Sequence, residues 1–245
     1  MLISQVTGFV GTFLIATARD EAFPAGSDLI ICIIGGLLGA FGITMLYRGL
    51  AIGRMGIVAP VTGVLAAVIP VVAGFLIEGV PPPLVILGIV VAVIAVVLVS
   101  RVADDTGGRA GLPEALAGGT AIGLFGVAIA YLSEGDVFAD LAIIRLVQGV
   151  LVGAAVLVMR AAWRPGRSWV LPLVLIGILD TAGNAFYLAA VQTGQLAIAS
   201  VLSAMYPVTT VILAAVVLGE RISRDHTIGI VLAGAAIALI GFGGA

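Results

Sequence analysis

The chain has 245 residues, of which 62% are hydrophobic and 10% charged, and its mean hydropathy is +1.30. A soluble protein of this length cannot bury so much apolar surface, so the composition predicts that lipid surrounds the folded chain. The net charge of −2 provides no basic face for nucleic acid, and a single cysteine, Cys32, excludes a disulfide framework within the chain.

Nine apolar stretches follow one another, each long enough to cross about 30 Å of hydrocarbon as a helix of roughly 17–23 residues. They cover residues 1–18, 29–50, 56–77, 84–100, 112–132, 141–159, 169–191, 196–218 and 227–242. The links between them are short and contain turn-forming residues, as in EGVPPP and SEGD. The first stretch lacks a basic leader and a cleavage pattern, so we interpret it as a spanning helix. The sequence predicts an all-α, multi-pass protein of the cell (inner or plasma) membrane.

Part of the sequence occurs twice, about 140 residues apart. One copy begins at Tyr47 with YRGLAIGRMGIVAPVTG, and the other begins at Tyr187 with YLAAVQTGQLAIASVLS. The matched residues are Tyr47 and Tyr187, Glu78 and Glu220, and the steps Gly88-Ile-Val and Gly229-Ile-Val. Helical repeats in a membrane are typical of secondary transporters, whose substrate site lies between the two halves.

The longest polar link, residues 101–111, separates four predicted helices from five. We therefore predict a first repeat over residues 1–101 and a second over residues 112–245. The last three helices of the second repeat match helices two to four of the first, so its opening pair has one counterpart only. We expect one helix of the first repeat to be missing before Met1, through a deletion or a start codon placed too late.

Three stretches carry a resemblance to a known family: LYRGLAIGRMGIVAP, LDTAGNAFYLAAVQTG and SAMYPVTTVILAAVVLGERIS. They resemble the EamA family of the drug/metabolite transporter superfamily, over essentially the whole chain and more specifically in the second half. The resemblance implies two five-helix halves of opposite orientation around a central cavity, from which this chain departs by the absent helix. It further implies a transporter of a small metabolite or amphipathic compound, with export as the expected direction.

Other functional classes fit the sequence less well. An intramembrane enzyme is disfavoured because the chain has no GxSxG motif, no metal-ligand cluster and one histidine, His226, in a predicted loop. The absence of lysine excludes a P-loop, and we expect no cofactor. A lipid or lipid-linked-sugar flippase of the same superfamily and a truncated inactive copy remain alternatives. The expected partners are a small-molecule substrate and the lipid bilayer, with protons as a candidate coupling ion and a homo-oligomer left open.

The arginines predict the orientation of the chain. One lies within a helix (Arg145), and one, Arg19, occurs in links on the side opposite Met1. The other nine lie in links on the Met1 side: Arg48, Arg54, Arg101, Arg109, Arg160, Arg164, Arg167, Arg221 and Arg224. The positive-inside rule then places residue 1 in the cytoplasm and Ala245 outside, the reverse of what the family resemblance implies.

Asp180 is the main candidate for function, because it lies near the middle of stretch 169–191, where a charged side chain faces a cavity or a partner. Asn184 and Tyr187 follow it on the same helix face, with Thr181 beside it. This polar stripe is interpreted either as the lining of a cavity, with Asp180 available for proton coupling, or as interhelical packing.

Arg145 lies about one turn inside stretch 141–159, with Gln148 three residues further on. Counted at 1.5 Å per residue, its depth in the membrane is within roughly 8 Å of that of Asp180, a distance that an arginine side chain can cover. Three interpretations remain open: binding of an anionic substrate group, pairing with Asp180, or extension of the guanidinium to the membrane interface.

Prolines interrupt the third stretch at Pro60 and Pro70 and the eighth at Pro207. Each removes a backbone hydrogen bond and leaves a carbonyl available to a cavity, or bends the helix to fit its neighbours. The candidates for substrate binding are Asp180, Asn184, Tyr187, Arg145, Tyr206 and Ser203. At the helix ends, Glu78 and Glu220 are interpreted as caps or interfacial ion pairs, and His226 as solvated.

Overall fold

The structure is a computed structural model that describes residues 1–53, 55–100, 110–158, 160, 166–218 and 223–243. Within these residues the chain forms α-helices joined by short links, and no strand. The helices are α1 (Leu2–Ala18), α2 (Gly26–Ile52), α3 (Met55–Ile77), α4 (Pro83–Ser100), α5 (Leu112–Ile129), α6 (Val137–Val158), α7 (Arg167–Val191), α8 (Leu196–Ser203), α9 (Tyr206–Leu218) and α10 (Arg224–Gly243).

Eight helical segments in the described ranges are long and apolar enough to cross a membrane, and α1 is a shorter apolar helix. Helices suit this environment because they satisfy their backbone hydrogen bonds internally, without water. The predicted all-α architecture is therefore confirmed, and each of the nine predicted stretches is helical. The helix ends shift by up to one turn: α6, for example, begins at Val137, where the sequence predicts a start at 141.

The prolines act differently in the third and eighth stretches. Helix α3 continues through Pro60 and Pro70, so the predicted interruption is wrong there. The eighth stretch does divide, at Ala204 and Met205, into α8 and α9. Pro207 occupies the second position of α9, where its missing N–H costs nothing to the new helix but prevents α8 from continuing through it.

The chain packs as two compact units, and each draws helices from both predicted repeats. Unit 1 comprises Met1–Phe41 and Ala128–Thr193, and unit 2 comprises Gly42–Val127 and Gly194–Ala245. In unit 1, α1 packs along both α6 and α7. The residues that form the candidate site below belong mainly to these three helices.

In unit 2, the most extensive packing joins α4 to α10, and α3 packs against α8 and α4. The core at this contact consists of small and β-branched residues, including Ala92 and Val96 of α4 and Ala233 and Ala236 of α10. Helix association in lipid depends on such close approach, because lipid removes the hydrophobic drive between helices.

Candidate functional site: a buried arginine cluster in unit 1

The candidate site is centred on an ion pair between two helices of unit 1. Nη1 of Arg145 on α6 lies 2.7 Å from Oδ2 of Asp180 on α7. The two side chains differ sharply in burial, because that of Arg145 is 4% exposed and that of Asp180 is 49% exposed. Since α6 begins at Val137, Arg145 lies two turns inside the helix, deeper than the one turn predicted from the sequence.

Two buried glutamines complete the environment of the guanidinium. Nη1 of Arg145 also donates to Oε1 of Gln5 on α1 at 3.1 Å and to Oε1 of Gln148 on its own helix at 3.4 Å. Of the three interpretations of Arg145, the structure supports pairing with Asp180 and contradicts extension to the interface.

Gly8 of α1 makes room for this cluster. A Cβ at Gly8 would clash with Oγ1 of Thr181 and would lie 3.3 Å from Cδ of Arg145. Gly177 of α7 has a similar role on the facing helix, since a Cβ there would lie 2.8 Å from the carbonyl oxygen of Ser4. The absence of both side chains lets α1 approach α6 and α7 closely enough for Gln5 to reach Arg145.

Two polar atoms of the cluster are buried without a hydrogen-bond partner among the described residues: Nη2 of Arg145 and Oγ1 of Thr181. A buried donor without a partner costs roughly 1–3 kcal/mol, and more when the group is charged. Native proteins carry few such atoms, and those that persist frequently mark functional sites.

A cavity of about 140 Å³ lies between α1 and α7, beside Thr181. Gly8 and Thr181 line one part of it, and Ile15 and Ala185 line another. Thr12 also faces the cavity, but its hydroxyl already donates to the carbonyl oxygen of Gly8 at 2.8 Å. The lining is predominantly apolar.

Asn184 and Tyr187 follow Asp180 along α7, as predicted, and both are half-buried. Nδ2 of Asn184 donates to the backbone carbonyl oxygen of Asp180 at 2.9 Å. The amide of Asn184 is therefore bonded within its own helix, and its oxygen faces away from that bond.

The remaining predicted residues, Tyr206 and Ser203, belong to unit 2. They flank the break between α8 and α9, and both are exposed. The backbone is irregular there: the N–H groups of Ala204 and Met205 donate to Ser200 and Leu202, which closes the end of α8.

Sequence reasoning missed the roles of three residues of the site. Gln5 and Gly8 were not singled out, and Thr181 was not predicted to lack a hydrogen-bond partner. Their roles arise from contacts between α1 and two helices that are distant in sequence. It also missed Asp140, a 3% exposed carboxylate in the first turn of α6 that lies 3.8 Å from the sulfur of Cys32. The late start predicted for the sixth stretch placed Asp140 in a link, where a carboxylate is expected to be solvated and does not indicate a site.

The predicted capping role of Glu78 is confirmed, since its carboxylate accepts from the N–H of Leu196 at the start of α8, at 2.8 and 3.0 Å. Its sequence counterpart Glu220 lies outside the described residues, as do Arg54, Arg101, Arg109, Arg164 and Arg221. His226 is half-buried in the first turn of α10, so its predicted place in a loop is wrong.

In the part of the chain that the structure describes, no group of three or more His, Cys, Asp or Glu side chains is placed to hold a metal ion. The arrangement in unit 1 is instead suited to binding or exchanging charge, with one buried cation, one accessible anion and two unsatisfied polar atoms.

Comparisons with known proteins bear on the family and the fold. A family model described as the EamA-like transporter family matches residues 109–242, more than half of the chain. A solved crystal structure, titled only as that of a protein, has a TM-score of 0.78 and 20% sequence identity, covering 98% of this chain and 88% of that chain. At that identity the likeness supports the fold alone. No curated protein matches the chain significantly.

Proposed function

The chain belongs to the EamA-like transporter family, and from this premise we propose that it is a secondary transporter working by alternating access between two inverted repeats. As a family member with eight apolar helices of spanning length in its described part, it is a multi-pass membrane protein. The substrate we propose is a small metabolite or amphipathic compound, and the membrane is the cell membrane. The repeats we propose are residues 1–101 and 112–245.

The first support for inverted repeats is a reciprocal contact in unit 2. A methyl group at Gly88 of α4 would lie 3.1 Å from the carbonyl oxygen of Ala236 on α10. A methyl group at Gly229 of α10 would lie 3.1 Å from the carbonyl oxygen of Ala95 on α4. Gly88 and Gly229 are matched in the sequence repeat. The same shift of about 140 positions matches Ala95 to Ala236. Such self-complementary contacts are what a local two-fold axis produces.

The second support comes from unit 1, independently. Gly36 of α2 packs on α6, where a Cβ would lie 3.2 Å from the carbonyl oxygen of Ile144. Gly177 of α7 packs on α1, with the corresponding distance of 2.8 Å to the carbonyl oxygen of Ser4. The shift of about 140 positions relates Gly36 to Gly177 and Ser4 to Ile144. Under this correspondence α1 is the counterpart of α6, and α2 that of α7.

The observation that carries the proposed site is the unequal ion pair of Arg145 and Asp180. Asp180 lies near the middle of α7, and a half-exposed carboxylate at that depth requires water, substrate or protein to stabilise it. We propose that Asp180, Arg145, Asn184 and Tyr187 contact the substrate in unit 1, with Asp180 also carrying the coupling proton. In unit 2 we propose substrate contacts at the helix break, from Tyr206 and Ser203.

Transport in proteoliposomes that trap a pH-sensitive dye tests this proposal. The panel of candidate substrates should include amino acids, monocarboxylates, nucleosides and quaternary ammonium compounds. At least one class is expected to dissipate an imposed pH gradient faster with the wild type than in protein-free vesicles, and Asp180→Asn is expected to abolish the difference. Asp225→Asn, which changes an exposed carboxylate in the first turn of α10, is the matched control and should transport normally.

The proposal fails if no class of compound distinguishes wild-type vesicles from empty ones. Fluorescent lipids in the same vesicles, followed by dithionite quenching, provide the second arm of the experiment. Lipid movement without metabolite movement would replace the proposal by the flippase alternative.

A further inference from the structure

The unsatisfied atoms of the arginine cluster point to a ligand of defined charge. Nη1 of Arg145 has three acceptors, namely Asp180, Gln5 and Gln148. Nη2 of the same guanidinium has none among the described residues, although it is buried, and Oγ1 of Thr181 on α7 is in the same situation. An N–H donor of a cation and a hydroxyl, both free, together suit an oxygen acceptor that carries negative charge.

Oγ1 of Thr181 and the guanidinium of Arg145 both lie next to Gly8 of α1. The position that a Cβ of Gly8 would occupy is in contact with Oγ1 of Thr181 and lies 3.4 Å from Nε of Arg145. Gly8 therefore packs directly against the hydroxyl and lies close to the guanidinium. The same glycine and the same threonine line the cavity of about 140 Å³. The end of the cavity at Gly8 is thus the end at which the unsatisfied hydroxyl of Thr181 lies.

The rest of the cavity is apolar and offers room for a compact apolar group. It extends along α1 from Gly8 to Ile15, about 10 Å at 1.5 Å per residue, and along α7 from Ile178 to Ala185. Its volume is close to that of a cavity of about 150 Å³ that accommodates benzene in another protein. An occupant with an oxyanion at one end and an apolar body of this size would satisfy both ends of the cavity.

We propose that this cavity binds a small organic anion, a carboxylate or other oxyanion attached to a compact apolar body of about the size of benzene. The oxyanion accepts hydrogen bonds from Nη2 of Arg145 and Oγ1 of Thr181, and the apolar body packs between α1 and α7. The inference rests on the proposed transport function and specifies its substrate class.

The first experiment measures binding to the purified full chain in detergent, with radiolabelled benzoate as the probe and benzamide as its uncharged analogue. Benzoate should bind saturably, and excess benzamide should not displace it. Thr181→Val should raise the Kd about tenfold, as expected for a lost hydrogen bond to a charged group. Thr17→Val, which removes an exposed hydroxyl bonded only within α1, should leave the Kd unchanged.

Thr181→Val also separates a binding role from a structural one. Valine has nearly the shape of threonine and removes a buried hydroxyl that has no partner among the described residues, so thermal stability should be retained or raised. A loss of stability would instead show that the hydroxyl supports the helix packing.

Two further variants test the geometry. Gly8→Ala places a methyl group between the guanidinium and the hydroxyl and should weaken benzoate binding at least about tenfold, whereas Gly183→Ala, whose Cβ would meet nothing within 4 Å, should not change it. The charge-balanced double variant of Arg145→Gln with Asp180→Asn should abolish binding. If that double variant does not fold, the threonine and glycine variants still decide the question.

Competition by benzamide as strong as that by benzoate, or equal Kd values for the variants of Thr181 and Thr17, would overturn the proposal and leave only a general apolar groove.

Uptake of benzenesulfonate, a permanently ionised probe, into proteoliposomes distinguishes failure of the binding site from failure of the transport function. Binding without uptake of any anion or other panel compound would refute the transport function and keep the site. Transport of other compounds without benzoate binding would refute the site and keep the transport function.

Discussion

Replacement of Asp180 by asparagine should destabilise the protein more than replacement of Arg145 by glutamine, because the buried member of the ion pair is the cation. Asp180→Asn leaves a guanidinium that is 4% exposed without its counter-ion. Arg145→Gln leaves a carboxylate that is 49% exposed. Deleting one partner of an ion pair costs most when the charge that remains is buried.

The expected magnitude follows from the contacts that survive. Breaking a fully buried pair costs about 3–5 kcal/mol, but Gln5 and Gln148 still accept from Arg145 after the substitution, so we expect about 2 kcal/mol for Asp180→Asn. An exposed pair contributes about 0.2–1 kcal/mol, which sets the expectation for Arg145→Gln. The double variant should resemble Arg145→Gln alone. At about 2–4 °C per kcal/mol for a chain of this size, Asp180→Asn should lower Tm by about 4–8 °C.

Thermal unfolding can be followed in detergent with a maleimide dye that fluoresces on reaction with a thiol. The chain has one cysteine, Cys32, whose side chain is fully buried, so the dye reports its exposure on unfolding. Equal small losses for the two single variants would refute the reasoning, as would a double variant less stable than Asp180→Asn. Full stability of Asp180→Asn together with lost pH-driven transport would assign Asp180 to coupling alone.

Two further predictions concern orientation and symmetry. A reporter active only outside the cytoplasm should give signal when fused after Ala245 and none after Ala103, because nine arginines to one favour the Met1 side; the opposite pattern would restore the orientation implied by the family. Alanine at Gly88 or at Gly229 should cost similar amounts, about 1–3 kcal/mol each, since a Cβ at either position would lie 3.1 Å from a carbonyl oxygen of the facing helix. Alanine at Gly234, whose Cβ would meet nothing within 4 Å, should unfold like the wild type, and unequal losses at the paired glycines would contradict the local two-fold axis.

The helices were predictable from the sequence because hydropathy alone decides them. The prediction for α4, for example, differs from the structure by one residue at its start, since an apolar run between three prolines and an arginine has no alternative boundary. The start of α6 was not predictable. The N–H groups of Phe138 and Ala139 donate to the carboxylate of Glu21, so a residue more than a hundred positions away caps that helix. The break in the eighth stretch agrees with the local effect of Pro207, but the continuity of α3 through Pro60 and Pro70 shows that a proline alone does not predict a break.

The candidate site likewise has features that the sequence predicts and features that it does not. Counting depth along two helices, which uses only the helical rise, made the pairing of Arg145 with Asp180 one of three open interpretations. The contribution of Gln5 did not follow, because the register of α1 against α6 depends on how closely the glycines let the helices approach. The unsatisfied state of Thr181 could not be predicted either, since a threonine in a helix ordinarily bonds to its own backbone, as Thr12 does.

Under the proposed repeat, the site lies where the two halves have to differ. The shift of about 140 positions makes Gln5 the counterpart of Arg145, and these two residues contact each other at 3.1 Å. A sequence symmetric at this position would therefore bring two guanidinium groups together, with a repulsion on the order of 4 kcal/mol at an effective dielectric constant of about 20. Glutamine avoids the repulsion and supplies an acceptor to the arginine instead. The shift that relates Gly36 to Gly177 on the same two helices gives Asp180 the uncharged counterpart Gly39, so the charge pair exists in one half only. A repeat that meets itself across a local two-fold axis can place a buried charge there only by breaking its own symmetry. The departures from the repeat at residues in contact across the axis are consequently better guides to the site than the residues that the two halves share.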